Sequence, residues 1–186
     1  MTDVRPSRWS SAPEAPSLRC RPVRGAAELA AHHAIRRAVF VTEQALFSDD
    51  RDDRDDDPAT VHLLGFVAGR PAGAVRLYPL DRDPLGWDPL GRDPLDRDPL
   101  DRGTWKGDRL AVLPAQRRSG IGGPLVSLAV SSAGQRGGSH MVASVQAVNT
   151  AFFVSLGWAP VGGPFDLLGL PHQQMTIPLG LSRAGA

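Results

Sequence analysis

The chain has 186 residues, a formal net charge of +1, 41% apolar and 22% charged residues, and one cysteine, Cys20. That length suits one domain with its own core, and the near-neutral charge provides no broad field for nucleic acid or a membrane surface. A lone cysteine excludes an internal disulfide framework and a cysteine metal cluster; no apolar run approaches the roughly 20 residues of a membrane span.

Residues 1–17 hold three prolines and four serines without apolar periodicity, the composition of a disordered tail. No signal-peptide core is present, so a cytoplasmic location is expected. Leu18–Val23 reads as a first strand, with Pro22 confining it to an edge. Gly25–Phe40 reads as a helix carrying Leu29, Ile35, Val39 and Phe40. His32 and His33 are adjacent on it, about 100° apart, which predicts surface or half-buried histidines and no metal pair. Asp49–Asp57 reads DDRDDRDDD. Such a run is expected to be a solvated loop, and it lacks the glycine and closing glutamate of a calcium-binding EF-hand.

Val61–Ala68 and Ala72–Tyr78, joined by Gly69-Arg70-Pro71, predict a hairpin. Residues 81–102 repeat Asp-Pro-Leu with a five-residue period. A proline in every unit excludes helix or central strand, so this is an extended insertion between two strands. Trp105–Leu113 predicts a strand that Pro114 ends. Pro124–Ala133 predicts a buried helix. Ser139–Val145 predicts a strand, Asn149–Leu156 a short helix closed by Gly157, Trp158–Val161 a short strand, Gly162–Pro171 a loop, and Gln174–Leu179 a last strand. Residues 181–186 read as a tail. The order β-α-β-β-β-α-β-α-β-β specifies an α+β fold with a mixed sheet and helices packed on it.

The chemistry concentrates between the fourth strand and the second helix. Gln116-Arg117-Arg118-Ser119-Gly120-Ile121-Gly122-Gly123 packs two arginines and three glycines into eight residues. Glycines let backbone N–H groups approach an anion, and the helix that follows points its positive dipole end into the turn. A phosphate or pyrophosphate suits that turn. The closing Gly-Lys-Ser/Thr of a P-loop and the G-x-G-x-x-G of a dinucleotide fold are both absent.

This segment, Val112-x-Pro114 followed by Arg117-Arg118-Ser119-Gly120-Ile121-Gly122, resembles the R-x-x-G-x-G/A acyl-CoA turn of the GNAT N-acyltransferases. Three further segments carry the same resemblance: Val39-Phe40-Val41-Thr42-Glu43-Gln44, Asn149-Thr150-Ala151-Phe152-Phe153, and Pro171-His172-Gln173-Gln174-Met175. Within that superfamily the chain is similar to bacterial acetyltransferases associated with nitrogen starvation, and loosely to acyl-homoserine-lactone synthases. The resemblance spans Leu18 to Leu179 apart from the insertion, and marks residues 18–180 as one domain.

It implies a three-layer fold whose mixed, mostly antiparallel sheet has helices on both faces and splays between its fourth and fifth strands, with acetyl-CoA as co-substrate in the gap and no metal. It implies that the backbone of Leu110, Ala111 and Val112 pairs with the pantetheine arm. Arg117, Arg118, Ser119, Gly120, Ile121, Gly122 and Gly123 would hold the pyrophosphate, Asn149 would bond the pantetheine, and Phe152 would pack beside it. The implied reaction is attack of a small-molecule amine on the thioester, with Asp108 and Glu43 as candidate bases and a strand N–H near Ala111 or Val112 as oxyanion donor. His172 is a further candidate, through water. Phe153 stands where such enzymes often carry a tyrosine acid, which leaves a non-catalytic acyl-CoA-binding or sensor module as an alternative and an acyl-homoserine-lactone-synthase-like enzyme as another. The implied partners are the amine acceptor and a second copy in a homodimer, with neither nucleic acid nor membrane.

Overall fold

The computed structural model describes residues 15–80 and 103–180; the predicted tails and Asp-Pro-Leu insertion therefore lie almost entirely outside the described residues. Seven strands form one sheet in the order β1-β2-β3-β4-β5-β7-β6. They are β1 (Leu18–Pro22), β2 (Val61–Val67), β3 (Arg70–Pro79), β4 (Thr104–Val112), β5 (His140–Gln146), β6 (Ala159–Leu167) and β7 (Leu170–Pro178). Three α-helices accompany them: α1 (Gly25–Arg36), α2 (Gly122–Gly134) and α3 (Thr150–Ser155). Every neighbouring pair is antiparallel except β4 with β5. Among the described residues no helix is long and apolar enough to cross a membrane.

Side chains alternate across the sheet, so consecutive residues serve different layers. Leu64, Phe66, Ala74 and Ala111 pack with Ile35 and Val39 on the α1 side. Leu63, Val75, Leu77, Trp105, Met141 and Val145 pack with Ile121, Leu125, Val126 and Ala129 on the α2 side, where Phe153 of α3 joins them. Ile121 and Leu125 are fully buried, each worth roughly 1.5–3 kcal/mol of apolar burial. Their close approach depends on a pair of facing glycines. Gly65 and Gly73 are cross-strand partners on β2 and β3. A Cβ at Gly65 would fall 2.7 Å from Ile121 Cγ1, and one at Gly73 would fall 2.7 Å from Leu125 Cδ1 and 3.2 Å from the Ala111 carbonyl oxygen. Gly73→Ala is therefore expected to cost about 1–3 kcal/mol through overpacking, read as a lower urea midpoint; an unchanged midpoint would show that α2 can shift to admit the methyl.

Two predicted elements differ from what is observed. The predicted loop Gly162–Pro171 is largely strand: β6 runs to Leu167 and turns at Leu168–Gly169 into β7. The register shifts between Val161 and Phe165, and Gly162 has φ 64°. A bulge there absorbs the glycines and Pro164, which an edge strand tolerates because its outer side needs no partner. The first helix also does not run as one α-helix to Phe40. From Arg37 to Glu43 it winds as a π-helix, with the Gln44 N–H bonded to the Val39 carbonyl at 3.0 Å. Such widened turns reorient the residues that follow them.

Candidate active site

β4 and β5 pair at only three positions, Thr104↔His140, Trp105↔Met141 and Lys106↔Val142. Beyond Lys106 the two strands separate into a V. On its other side β4 stays paired with β3, through Ala111↔Ala74 and Val112↔Gly73. The backbone of Leu110–Val112 thus faces the opening without a β5 partner in the register. A bulge marks the start of this stretch. Arg76 faces Asp108 and Ala74 faces Ala111, so Arg109 and Leu110 together oppose Val75. Arg109 takes φ 54° to allow it. A non-glycine residue in that region costs on the order of 1–3 kcal/mol and persists where the surroundings enforce it.

The V opens into a cavity of about 480 Å³. Its α2 side is apolar, with Val126, Ala129, Met141, Ala143 and Phe153. Its α1 side carries polar groups from the sheet together with Phe40, Gln44 and Phe47. A second recess of about 720 Å³, between Pro22, His62, Pro79 and Trp105, contains none of the expected site residues.

The turn after β4 sits at the wide end of the V. Pro114–Ser119 forms a 3₁₀ turn, Gly120 takes a left-handed conformation (φ 83°), and α2 begins at Gly122 with no side chain capping it. The first N–H groups of a helix have no intrahelical acceptor, and the dipole adds partial positive charge there. A Cβ at Gly122 would meet Phe152 Cζ at 3.4 Å, which places Phe152 at the helix N-terminus. Asn149 lines the cavity from the residue before α3. Gly122 and Phe152 thus meet at the start of α2, and of the expected cofactor residues there only Asn149 lines the cavity; Arg117, Gly122 and Phe152 lie outside its lining. The donor-rich turn and unpaired strand edge suit a long, amide-containing, anionic ligand such as acyl-CoA.

A sequence profile of the acetyltransferase (GNAT) family matches residues 26–158. The chain belongs to the GNAT family. Solved structures show the same fold. An acyl-CoA N-acyltransferase from Pseudomonas aeruginosa superimposes with a TM-score of 0.67 at 22% identity, covering 87% of this chain and 98% of that one. Escherichia coli ElaA gives 0.67 at 21% identity, covering 86% and 99%. The CoA-dependent acyl-homoserine lactone synthase BjaI, solved with SAM and isopentyl-CoA, gives 0.65 at 22% identity, covering 82% and 76%. As a GNAT domain, the chain is an acyl-CoA-dependent N-acyltransferase in general class.

The two carboxylates expected to act as bases in this GNAT domain are both engaged. Asp108 receives Arg76 Nε at 2.8 Å and Arg76 Nη2 at 2.8 Å, and the Tyr78 hydroxyl lies 3.4 Å away. Burial works to raise the Asp108 carboxyl, but Arg76 holds it below its usual range. Glu43 lies outside the cavity wall at the exposed end of the π-helix, where Arg117 Nη2 donates to it at 2.5 Å. That bond keeps the Glu43 carboxyl low. One expected base and one expected pyrophosphate ligand are thus paired with each other.

The acidic run is a solvated loop only in part: Asp49, Arg51, Asp53 and Asp56 are exposed, whereas Asp55 is buried. Asp52 and Asp55 form a capping box on a 3₁₀ turn, Asp53–Asp55. Arg76, 1% exposed, donates to Asp52 at 2.5 and 3.0 Å and lies 3.1 Å from Asp55. Arg36 donates to Asp55 at 2.5 and 2.9 Å, and Arg109 Nη2 donates to Asp52 at 3.0 Å. Three guanidinium groups meet three carboxylates, and the network binds the loop to the wall of the cleft. Arg109 also lies over the Phe47 ring, 3.5 Å from its centroid. The sequence signal for this was the three-residue spacing of Asp52 and Asp55, together with arginines inside otherwise apolar elements.

His32 and His33 are buried, more deeply than the surface or half-buried placement expected. With His62 of β2 they form a cluster of edge-to-face rings with centroids 4.9–5.9 Å apart. His32 Nε2 lies 3.2 Å from the Val75 carbonyl oxygen of β3 and Arg36 of the same helix bonds Asp55, so the sheet and the acidic loop cover this face of α1, which sequence spacing alone does not reveal. Among the described residues no group of three or more His, Cys, Asp or Glu is placed to hold a metal ion.

A polar line across the cleft floor was not anticipated. Lys106 Nζ donates to Ser144 Oγ at 3.1 Å, and Ser144 Oγ donates to Gln174 Oε1 at 3.1 Å. Burial pushes the Lys106 amine down to about 8. Phe153 stands edge-on to Trp158, with centroids 5.3 Å apart, and has no proton to give.

Proposed function

We propose that this GNAT domain transfers an acetyl group from acetyl-CoA to the amine of a small molecule by direct attack on the thioester. The observation that carries this reading is the V between β4 and β5, whose free β4 edge leads straight into the uncapped N-terminus of α2. The backbone of Leu110, Ala111 and Val112 would pair with the pantetheine amides. The N–H groups of Arg118, Ser119, Gly120, Ile121, Gly122 and Gly123 would hold the pyrophosphate, with charge from Arg117 and Arg118. Asn149 would bond the pantetheine and Phe152 would cover it. The acceptor would enter from the α1 side. On this reading Asp108 and Glu43 are structural anions that position Arg76 and Arg117.

A calorimetric titration tests the cofactor. Micromolar binding of acetyl-CoA and free CoA, roughly −8 kcal/mol, with none for ATP, is expected. Gly122→Trp should weaken acetyl-CoA binding by about 10²-fold, some 2.7 kcal/mol, because the indole would fill the space between Phe152 and the helix N-terminus. Full affinity in that variant would move the pyrophosphate elsewhere.

A second reading, a non-catalytic acyl-CoA sensor, is favoured by the engaged Asp108 and by Phe153. Turnover of acetyl-CoA with any member of an amine panel rejects it. Consumption of S-adenosylmethionine with an acyl-CoA donor would instead favour the lactone-synthase-like reading.

A further inference from the structure

We propose that His172 of β7 is the general base that removes the proton from the acceptor ammonium. The proposal rests on the acyltransferase reading above and adds to it the residue that makes the amine nucleophilic.

The first support is placement. Gln146 pairs with His172 and Ser144 pairs with Gln174 across β5 and β7. The Lys106–Ser144–Gln174 hydrogen bonds show that these side chains share one face. A two-residue step along β7 returns to that face, so His172 lies on it too. Carrying the parallel register Lys106↔Val142 upward brings Gln146 level with Leu110. His172 therefore stands at the level of the bulge, four residues beyond the last β4–β5 pair at Lys106, and it lines the cavity.

The second support is the tautomer. His172 Nδ1 lies 2.8 Å from the Leu170 carbonyl oxygen. A carbonyl only accepts, so Nδ1 carries the hydrogen and the neutral ring keeps its lone pair on Nε2. The same bond fixes the ring, which is itself buried at 6% exposure. A base held by a hydrogen bond from its other nitrogen is oriented without being consumed.

The third support is elimination. The other ionisable side chains lining the cavity are Arg54, Tyr78, Lys106, Asp108 and Arg109. The two guanidinium groups do not act as bases. Asp108 is occupied by Arg76 in a two-point contact. Burial and the Asp108 charge push the Tyr78 hydroxyl far up, so it stays neutral. Lys106 remains as the competitor, and its own range near 8 gives it a distinguishable signature.

In the step, the Nε2 lone pair takes one proton from R–NH₃⁺. The freed nitrogen pair bonds to the thioester carbonyl carbon, and the C=O π pair moves to oxygen. When that pair returns, the C–S bond breaks and its electrons leave on sulfur as CoA thiolate. The amide nitrogen sheds its second proton. One of the two protons ends on the thiolate and one in solvent, so the balance is R–NH₃⁺ plus acyl-S-CoA giving R–NH-acyl, CoA-SH and H⁺.

His172→Gln removes the imidazole lone pair while keeping a polar side chain of similar length. In the full-length protein it is expected to lower kcat about 10²- to 10³-fold, leave acetyl-CoA affinity within about twofold of wild type (under ~0.5 kcal/mol), and abolish the acid limb of the kcat/KM profile. Long-range ¹H–¹⁵N correlation on the ¹⁵N-labelled protein should show the Nδ1–H tautomer at neutral pH. Wild-type-like turnover in His172→Gln, or an Nε2–H tautomer, overturns the assignment. So does an acid limb near 8 that persists in His172→Gln and vanishes in Lys106→Met. A wild-type protein that binds no acyl-CoA would overturn the acyltransferase reading together with this one, whereas intact binding and turnover with an indifferent His172→Gln would overturn the histidine alone.

Discussion

Arg76→Met is expected to lower the unfolding free energy by about 3–5 kcal/mol. The side chain is almost fully buried and holds Asp108 and Asp52 through two contacts each, with a further contact to Asp55. Methionine fills much of the same volume but leaves Asp108 without its partner. Of its guanidinium contacts among the described residues, Asp52 would keep that to Arg109 and Asp55 that to Arg36. The loss comes from stranding charge away from water, which outweighs the net worth of the ion pairs themselves. Against a total stability of about 5–15 kcal/mol this is severe. Urea unfolding of Arg76→Met, Asp108→Leu and the double variant would measure it. The double variant should recover part of the loss, because an apolar pair can replace a buried ion pair at little cost. A single-variant loss under about 1 kcal/mol would mean that the loop simply lifts into solvent, and that the network does not hold the cleft wall.

Acid should weaken the fold from about pH 6.5 downward, well before the carboxylates respond. Burial, the neighbouring His62 and Arg36 push His32 down to about 3, and burial also lowers His33 and His62. Each folded-state value lies below that of an unfolded histidine. The unfolded chain therefore binds more protons below 6.5, and the stability present above that pH is lost as the pH falls toward the folded values. For His32 alone the full span amounts to on the order of 4–5 kcal/mol, of which about 2 kcal/mol falls between pH 6.5 and 5. The carboxylate network acts lower. Burial opposes it, but Arg76 and Arg109 hold Asp52 down to about 2, so its contribution is complete above about pH 4 and disappears as pH falls through 2. Melting temperature measured from pH 8 to 5 should decline, and His32→Leu should reduce the slope by about one proton. A flat wild-type profile would contradict a neutral, buried histidine cluster.

Much of this protein is legible in short windows. Alternation in Val61–Val67, the proline after Val112, and the arginine- and glycine-rich turn ahead of an apolar run each specify local conformation through nearest-neighbour sterics and burial. Those signals were enough for an α+β sheet, for the strand-turn-helix that follows β4, and for the GNAT resemblance. What they do not encode is which distant charge or surface each residue meets. DDRDDRDDD reads as solvent-exposed because its partners, Arg36, Arg76 and Arg109, come from three other elements. Gly162 and Pro164 read as loop because a strand's tolerance for them depends on its lying at the sheet's edge. His32 and His33 read as surface or half-buried because the groups that bury them, in β2, β3 and the acidic loop, are distant in sequence. His172 is one histidine in a strand until the splay of β4 from β5 opens a cleft beside it. Backbone conformation follows from local chemistry, whereas a side chain's protonation and reach depend on long-range neighbours, and these only the tertiary structure decided.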